Sequence, residues 1–308
     1  MRIVFMGTPD FALPSLARLC ADGHCVAGVF TQPDKPQGRH FTLTPSPVKT
    51  FALEKGLLVF QPPTLKNEDV QQTLRALAPE LIIVTAYGKL LPPAVLVIPT
   101  RGCVNVHGSL LPRYRGAAPI QRAIINQESV TGVTIMNMAA GLDTGDILLR
   151  RETPIGPDET AGALFDRLSL LGADALSEAL ASFDSLLPQP QNEALATWAA
   201  PLNKQDGALN VAESSAAVYA RLRGVSPCPG AWALLPDGKR LKIHRAIQCE
   251  RSGVPGTLCD GKDLIVACGE GALALLEVQP EGGRRISGSE FLNGKRLQIG
   301  DCLFQPLT

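Results

Sequence analysis

The sequence predicts an α/β chain, a domain with a mainly parallel sheet followed by a smaller β-barrel domain. Three observations predict it. The first part of the 308 residues alternates short apolar strand-like runs with helix-like segments, the pattern of a parallel sheet covered on both faces. The chain is longer than the roughly 250 residues at which single cores stop growing, so two domains are expected. After about residue 205 the pattern changes to short strands broken by Gly, Pro and Asp-Gly turns, which suits a small barrel.

The elements follow in order. Arg2–Met6 reads as a strand leading into Gly7-Thr8-Pro9. Pro14–Leu19 opens a helix with Pro early, where its missing N–H costs little. Cys25–Thr31 reads as a second strand. Ser46 caps a helix running to Lys55, with Pro47 at its first position. Val70–Ala78 is helical, and Leu81–Ala86 is a buried strand rich in branched residues. Cys103–Val106 is a strand and Ile120–Asn126 a helix. Thr131–Met138 and Asp146–Arg150 are strands, and Ala161–Ser182 is a long Ala- and Leu-rich helix. Leu187-Pro188-Gln189-Pro190-Gln191-Asn192 reads as a linker. The boundaries drawn are 1–184 for the first domain, 185–205 for the linker and 206–308 for the second domain. In the latter, helix Ser214–Gly224 precedes strands at Ala231–Leu235, Leu241–Ala246, Gly256–Cys259, Leu264–Ala267 and Ala272–Val278. Asp237-Gly238 marks a hairpin.

Composition narrows the function classes. Hydrophobic residues are 45% and charged residues 19%, a soluble globular balance. No apolar run reaches the roughly 18–20 residues that cross a bilayer, and the start lacks a signal-peptide pattern. A cytoplasmic protein without membrane attachment is expected. The 29 basic and 29 acidic residues cancel, so any contact with RNA must come from local clusters. The eight cysteines form no C-x-x-C pair and do not group with the four histidines. No metal site is expected.

The opening Met6-Gly7-Thr8-Pro9-Asp10-Phe11-Ala12 follows a strand but carries one glycine where a dinucleotide fingerprint needs three, so no NAD is expected. The dense signal is Asn105-Val106-His107-Gly108-Ser109-Leu110-Leu111-Pro112. Residues i and i+2 of a strand share a face. Asn105 and His107 therefore project together at a carboxyl end, where open α/β sheets bind ligands. A neutral amide and an imidazole that titrates near working pH suit an oxygen that turns negative during acyl transfer. The other reading is a strand end whose polar tips meet water. Gly141-Leu142-Asp143-Thr144-Gly145-Asp146 is a polar turn that offers Asp143. Gly108-Ser109 lacks the strained nucleophile pattern, so direct transfer is favoured over covalent hydrolysis. That chemistry needs a proton carrier, an orienting carboxylate and an oxyanion donor.

The stretches at 6–12, 30–39, 45–49, 86–92, 105–122 and 131–146 together resemble the methionyl-tRNA formyltransferase family, within the folate-dependent formyltransferases. The N-x-H-x-S-L-L-P run is shared by that wider superfamily. R-Y-R-G-A-A-P-I-Q-R at 113–122 narrows the resemblance to the tRNA enzymes. It implies a Rossmann-like formyltransferase domain and a C-terminal OB-like β-barrel that binds tRNA. It implies Asn105, His107 and Asp143 as catalytic residues. It implies Ser109, Leu110, Leu111, Pro112, Tyr87 and Gly88 at the folate site, with 10-formyltetrahydrofolate as co-substrate. The loop Asp34-Lys35-Pro36-Gln37-Gly38-Arg39-His40 matches the family's tRNA-contacting loop, which makes Lys35, Arg39 and His40 tRNA contacts. The loop is less basic than the family pattern, since Phe41-Thr42-Leu43-Thr44 follows. Arg113 and Arg115 flank the site as candidates to steer an anionic substrate. Lys239, Arg240 and Lys242 form a basic run suited to phosphates. The implied partner is methionyl initiator tRNA, bound by a monomer. The alternative is a sugar-nucleotide N-formyltransferase using the same folate chemistry. The second domain departs from the family at Asn210-Val211 and at Ser226-Pro227-Cys228-Pro229.

Overall fold

The computed structural model describes residues 1–37 and 42–305. The chain divides into two compact units: residues 1–119, 130–154 and 165–199, and residues 120–129, 155–164 and 200–308.

The strands of the first unit are β1 (Arg2–Gly7), β2 (Cys25–Phe30), β3 (Lys35–Gln37), β4 (Thr42–Thr44), β5 (Val59–Phe60), β6 (Leu81–Thr85), β7 (Cys103–His107), β8 (Arg115–Gly116), β9 (Val130–Asn137), β10 (Ile147–Pro154) and β11 (Trp198–Ala199). Seven of them form one sheet in the order β10-β9-β7-β6-β1-β2-β5. β5, β2, β1, β6 and β7 run parallel, while β9 and β10 are antiparallel additions beside β7. Residues 3–6 of β1 and 81–84 of β6 are apolar and buried, as strands covered on both faces must be. Val4, Met6, Ile82 and Val84 join Phe30 and Leu74 in one core cluster. The alternate residues Ile3, Phe5, Leu81 and Ile83 are equally buried, so both faces of the sheet carry packed layers. Ser46 caps the helix Pro47–Glu54, its hydroxyl accepting from Lys49 N–H at 3.2 Å, with Pro47 in the first turn as the sequence suggests.

The second unit is a curled antiparallel sheet. Its strands are β12 (Ala231–Leu234), β13 (Arg240–Cys249), β14 (Ile265–Ala267), β15 (Ala272–Pro280) and β16 (Ile286–Ser287). The order is β12-β13-β15-β14, with β16 on β15. Leu241 and Ile243 point into a core shared with Val218, Leu222, Phe291 and Leu292. Asp237-Gly238 makes the β12–β13 turn, where Gly238 takes a φ of +79° that a glycine adopts without strain. Gly256–Cys259 forms isolated bridges rather than a strand.

One organisational expectation needs correction. Residues 185–199, read as the start of a linker, belong to the first unit. Gln189 exchanges both backbone hydrogen bonds with Ile147, at 2.8 and 2.9 Å, and β11 pairs with β8. The prolines that suggested a tether instead hold this segment extended, leaving every second residue free to bond across. No helix among the described residues is long and apolar enough to cross a membrane.

Phe5 lies at the centre of the parallel sheet with no exposed surface. Phe5→Ala should destabilise the first unit by about 3–5 kcal/mol, read as a lowered urea midpoint. The hairpin variant Gly238→Ala should shift the second unit only.

Candidate active site

The site grows from the end of β7. Strand alternation puts Asn105 and His107 on one face, Asn105 half-buried and His107 buried. The Asn105 side chain makes no hydrogen bond among the described residues, whereas His107 is fixed. Its Nε2 lies 3.0 Å from the Tyr114 carbonyl oxygen. A carbonyl only accepts, so Nε2 carries a proton and donates. Nδ1 then faces the Asp143 carboxylate, with Oδ2 at 3.7 Å. That separation exceeds a direct hydrogen bond. It leaves the two groups as neighbours across a gap that another atom can share.

Two strained residues frame this pair. Tyr114 has φ +60° and Asp143 φ +54°, values that non-glycine residues adopt only when their surroundings enforce them. The enforcing contacts are visible. Tyr114 N–H donates to Thr197 Oγ1 at 2.8 Å, and the Ser109 hydroxyl donates to the Arg113 carbonyl at 2.7 Å. Thr134, opposite His107 on β9, donates to the Ser109 carbonyl at 2.6 Å and accepts Leu111 N–H at 3.1 Å. The turn 109–114 is thereby pinned, and its carbonyl is aimed at the imidazole. The Asp143 carboxylate accepts Gly116 N–H at 2.8 Å. Gly116 itself has φ +117°, and a Cβ there would meet the Ala199 carbonyl oxygen at 2.8 Å, so only glycine fits.

The other expected folate residues contribute differently. Tyr87 is 2% exposed and its ring belongs to the sheet's core cluster. Burial pushes its phenol up to about 12, and its hydroxyl has no partner among the described residues. Only the backbone of Tyr87-Gly88 remains to face a ligand; the Tyr87 carbonyl accepts from Gln32 Nε2 at 3.0 Å, and Gly88 has φ +80°. Ser109, Leu111 and Pro112 are buried and Leu110 half-buried. Leu111 packs with Met136 and Ile147. These residues shape the turn more than they present side chains.

Polar residues beyond the ends of β2 and β5, with Lys49 of the helix Pro47–Glu54, form a second network. Lys49 Nζ bonds Asp34 Oδ2 at 2.5 Å and Gln61 Oε1 at 2.7 Å, while Gln61 Nε2 donates to Asp34 Oδ1 at 2.8 Å. The Lys49 and Gln61 bonds hold the Asp34 carboxyl below its ordinary range. This network anchors the start of the loop in which Lys35 is exposed. Arg39 and His40 lie outside the described residues. Arg113 is exposed, its guanidinium 5.3 Å from the Tyr114 ring.

Arg115 requires correction. It is 1% exposed, and its guanidinium bonds Glu193 and Gln191 inside the first unit. It cannot reach out to an anionic substrate. In the second unit Lys239, Arg240 and Lys242 are all exposed. Lys239 lies 3.6 Å from Asp237, and Arg240 sits over the Trp232 ring at 4.1 Å.

Known proteins match this arrangement along nearly the whole chain. The formyl transferase model matches residues 1–180, and the model of the formyl transferase C-terminal domain matches 201–296. The chain belongs to the formyl transferase family. It is 47% identical to the methionyl-tRNA formyltransferase of Geobacter metallireducens, with 97% of each chain covered. It is 48% identical to that of Caldanaerobacter subterraneus, over 98% of this chain and all of the other. Among solved structures it resembles WlaRD, a sugar 3N-formyl transferase determined with dTDP and 5-N-formyl-THF, at a TM-score of 0.70 and 18% identity, covering 91% of this chain and 97% of that one. A Helicobacter canadensis N-formyltransferase, determined with folinic acid and dTDP-3-aminofucose, gives a TM-score of 0.68 at 16% identity, over 89% and 98%. These two likenesses speak for the fold.

The sequence reading of this formyl transferase missed Thr134, Gly116, Gln191 and the Tyr114 carbonyl. Thr134 carried a usable signal, a hydroxyl set among the apolar Val133, Ile135 and Met136. The Tyr114 carbonyl carried none, because a backbone atom has no letter in the sequence.

Gly145 closes the Asp143 turn, and a Cβ there would sit 1.8 Å from the Asn137 carbonyl oxygen. Gly145→Ala must displace the turn, and turnover should fall about 10²-fold as Asp143 moves, measured as kcat in a formyl-transfer assay.

Proposed function

We propose that this chain, as a cytoplasmic monomer, moves the formyl group of 10-formyltetrahydrofolate onto the amino group of methionyl initiator tRNA, giving N-formylmethionyl-tRNA. The observation that carries the acceptor is identity of 45–48% to methionyl-tRNA formyltransferases over 97–98% of the chain. It runs through the second unit, whereas the sugar enzymes among the solved structures are matched at 16–20% identity.

The chemistry follows from the site. The methionyl amine attacks the formyl carbon, and the carbonyl oxygen gains negative charge. Asn105, half-buried with its amide unengaged among the described residues, donates to that oxygen. His107 Nδ1, carrying a proton, is the second donor. Its other nitrogen is held by Tyr114, so the ring cannot turn away. The bond from the formyl carbon to folate N10 breaks as the new amide forms. The amine loses one proton and N10 gains one, and Asp143, 3.7 Å from Nδ1, is placed to pass it. The backbone of Tyr87-Gly88 and the turn 109–112 form the proposed folate wall.

We assign catalysis to residues 1–184 and tRNA binding to 206–308, with Lys239, Arg240 and Lys242 on phosphates and Lys35, Arg39, His40 and Arg113 near the acceptor end. Phosphate contacts of this kind fix register more than identity.

Labelled formyl transfer from 10-formyltetrahydrofolate should reach methionyl initiator tRNA and neither methionyl elongator tRNA nor a 4-amino sugar nucleotide. Transfer to the sugar alone would overturn the acceptor. Asn105→Ala should lower kcat about 10²–10³-fold. Asp143→Asn with undiminished turnover would refute the catalytic assignment.

A further inference from the structure

Gln191 was read as part of a tether, yet it sits on the loop that carries Asp143. Its Nε2 donates to the Asp143 carbonyl at 2.8 Å and to the Gly145 carbonyl at 2.7 Å. Both amide hydrogens are thus spent on the Asp143 turn. Its Oε1 accepts from Arg115 Nε at 3.1 Å and from Nη2 at 2.8 Å. A guanidinium only donates, so Arg115 fixes which way the Gln191 amide faces. Arg115 is in turn held by Glu193, through Nη1 at 2.8 Å and Nη2 at 2.7 Å, a planar two-point pair that a lysine could not form.

The segment is pinned on both sides of Gln191. Before it, Gln189 pairs with Ile147. After it, Thr197 and Ala199 bond the backbone of Arg115 and Ala117 at 2.9 Å each. β8, which carries Arg115, also supplies the Gly116 N–H that holds the Asp143 carboxylate. Asp143 is therefore gripped twice, at its side chain by β8 and at its backbone by Gln191. Its left-handed backbone needs such a grip.

We propose that Gln191, oriented by the buried Arg115 and its exposed partner Glu193, is a positioning residue for the formyl-transfer reaction, clasping the strained Asp143 turn so that its carboxylate faces His107. The inference rests on the catalytic reading of Asp143. It makes the segment 187–195 part of the active site's support as well as a connection.

The test is a double-mutant cycle in the full-length chain, with formyl transfer to methionyl initiator tRNA as the assay. Gln191→Met keeps the length of the side chain and removes both donors. It should lower kcat roughly 10- to 100-fold with KM for both substrates within about twofold. In the Asp143→Asn background the same change should add no further loss, because the clasp acts only through that residue. Gln191→Glu retains the Arg115 contact but sets an acceptor against two carbonyls. It should reproduce the loss, and it serves if Gln191→Met does not fold. A kcat within about twofold of the parent, or an equal loss in both backgrounds, overturns the clasp. Asp143→Asn with parental turnover would bring down the catalytic reading and the clasp together. An inactive Asp143→Asn beside a fully active Gln191→Met would remove the clasp alone.

Discussion

The site depends on one hydrogen bond, from His107 Nε2 to the carbonyl of Tyr114. Because a carbonyl cannot donate, this contact keeps a proton on Nε2 and turns Nδ1 toward Asp143. An imidazole at a strand end could otherwise rotate and present either nitrogen. The cost is a tyrosine in the left-handed region, φ +60°, of order 1–3 kcal/mol. The surrounding contacts of Ser109, Thr134 and Thr197 offset it. All of them are hydrogen bonds between buried or half-buried groups, where an unmade partner would be expensive. The turn is over-determined, and the histidine inherits that rigidity.

The change of strand direction at β9 makes this possible. A further parallel strand beside β7 would have required a long crossover. The antiparallel β9 instead places Thr134 directly opposite His107 and lets a short turn carry Asp143 into β10. The parallel part of the sheet supplies the rigid platform, buried on both faces. The antiparallel margin supplies turns close to β7. This division explains why the polar groups gather beside β7 while residues 3–6 of β1 and 81–84 of β6 are apolar.

Much of this was legible in the sequence, for identifiable reasons. Asn105 and His107 were readable because strand alternation is strict, and Ser46-Pro47 and Asp237-Gly238 because caps and turns have local chemistry. Asp143 was readable as a polar turn. The misreadings share one cause: the sequence names a side chain but not its neighbours. Arg115 looks like a surface cation until Gln191 and Glu193, more than seventy residues later, are brought onto it. Tyr87 looks like a side chain at the site, yet its ring lies in the core. The Pro-rich stretch around Gln191 has the composition of a tether, and only its pairing with Ile147 and the pairing of β11 with β8 turn it into structure.

A chain of zero net charge is an unusual partner for a polyanion, and the placement of its cations bears on how the proposed acceptor is held. With no overall field, attraction at distances beyond a Debye length of about 8–10 Å is weak. Binding then rests on cations already at contact. On the β12–β13 hairpin, Lys239, Arg240 and Lys242 are exposed while Leu241 and Ile243 fill the core. Asp237 beside Lys239 does little to neutralise it, since both side chains are exposed and water competes freely. Arg240 sits over the Trp232 ring, which restrains its guanidinium without neutralising it and so lowers the ordering cost of a phosphate contact. Affinity for RNA then grows with the few counterions released at such points. In the proposed reaction, discrimination falls to the site itself, where the acceptor's amine must reach a carbonyl carbon held between Asn105 and His107.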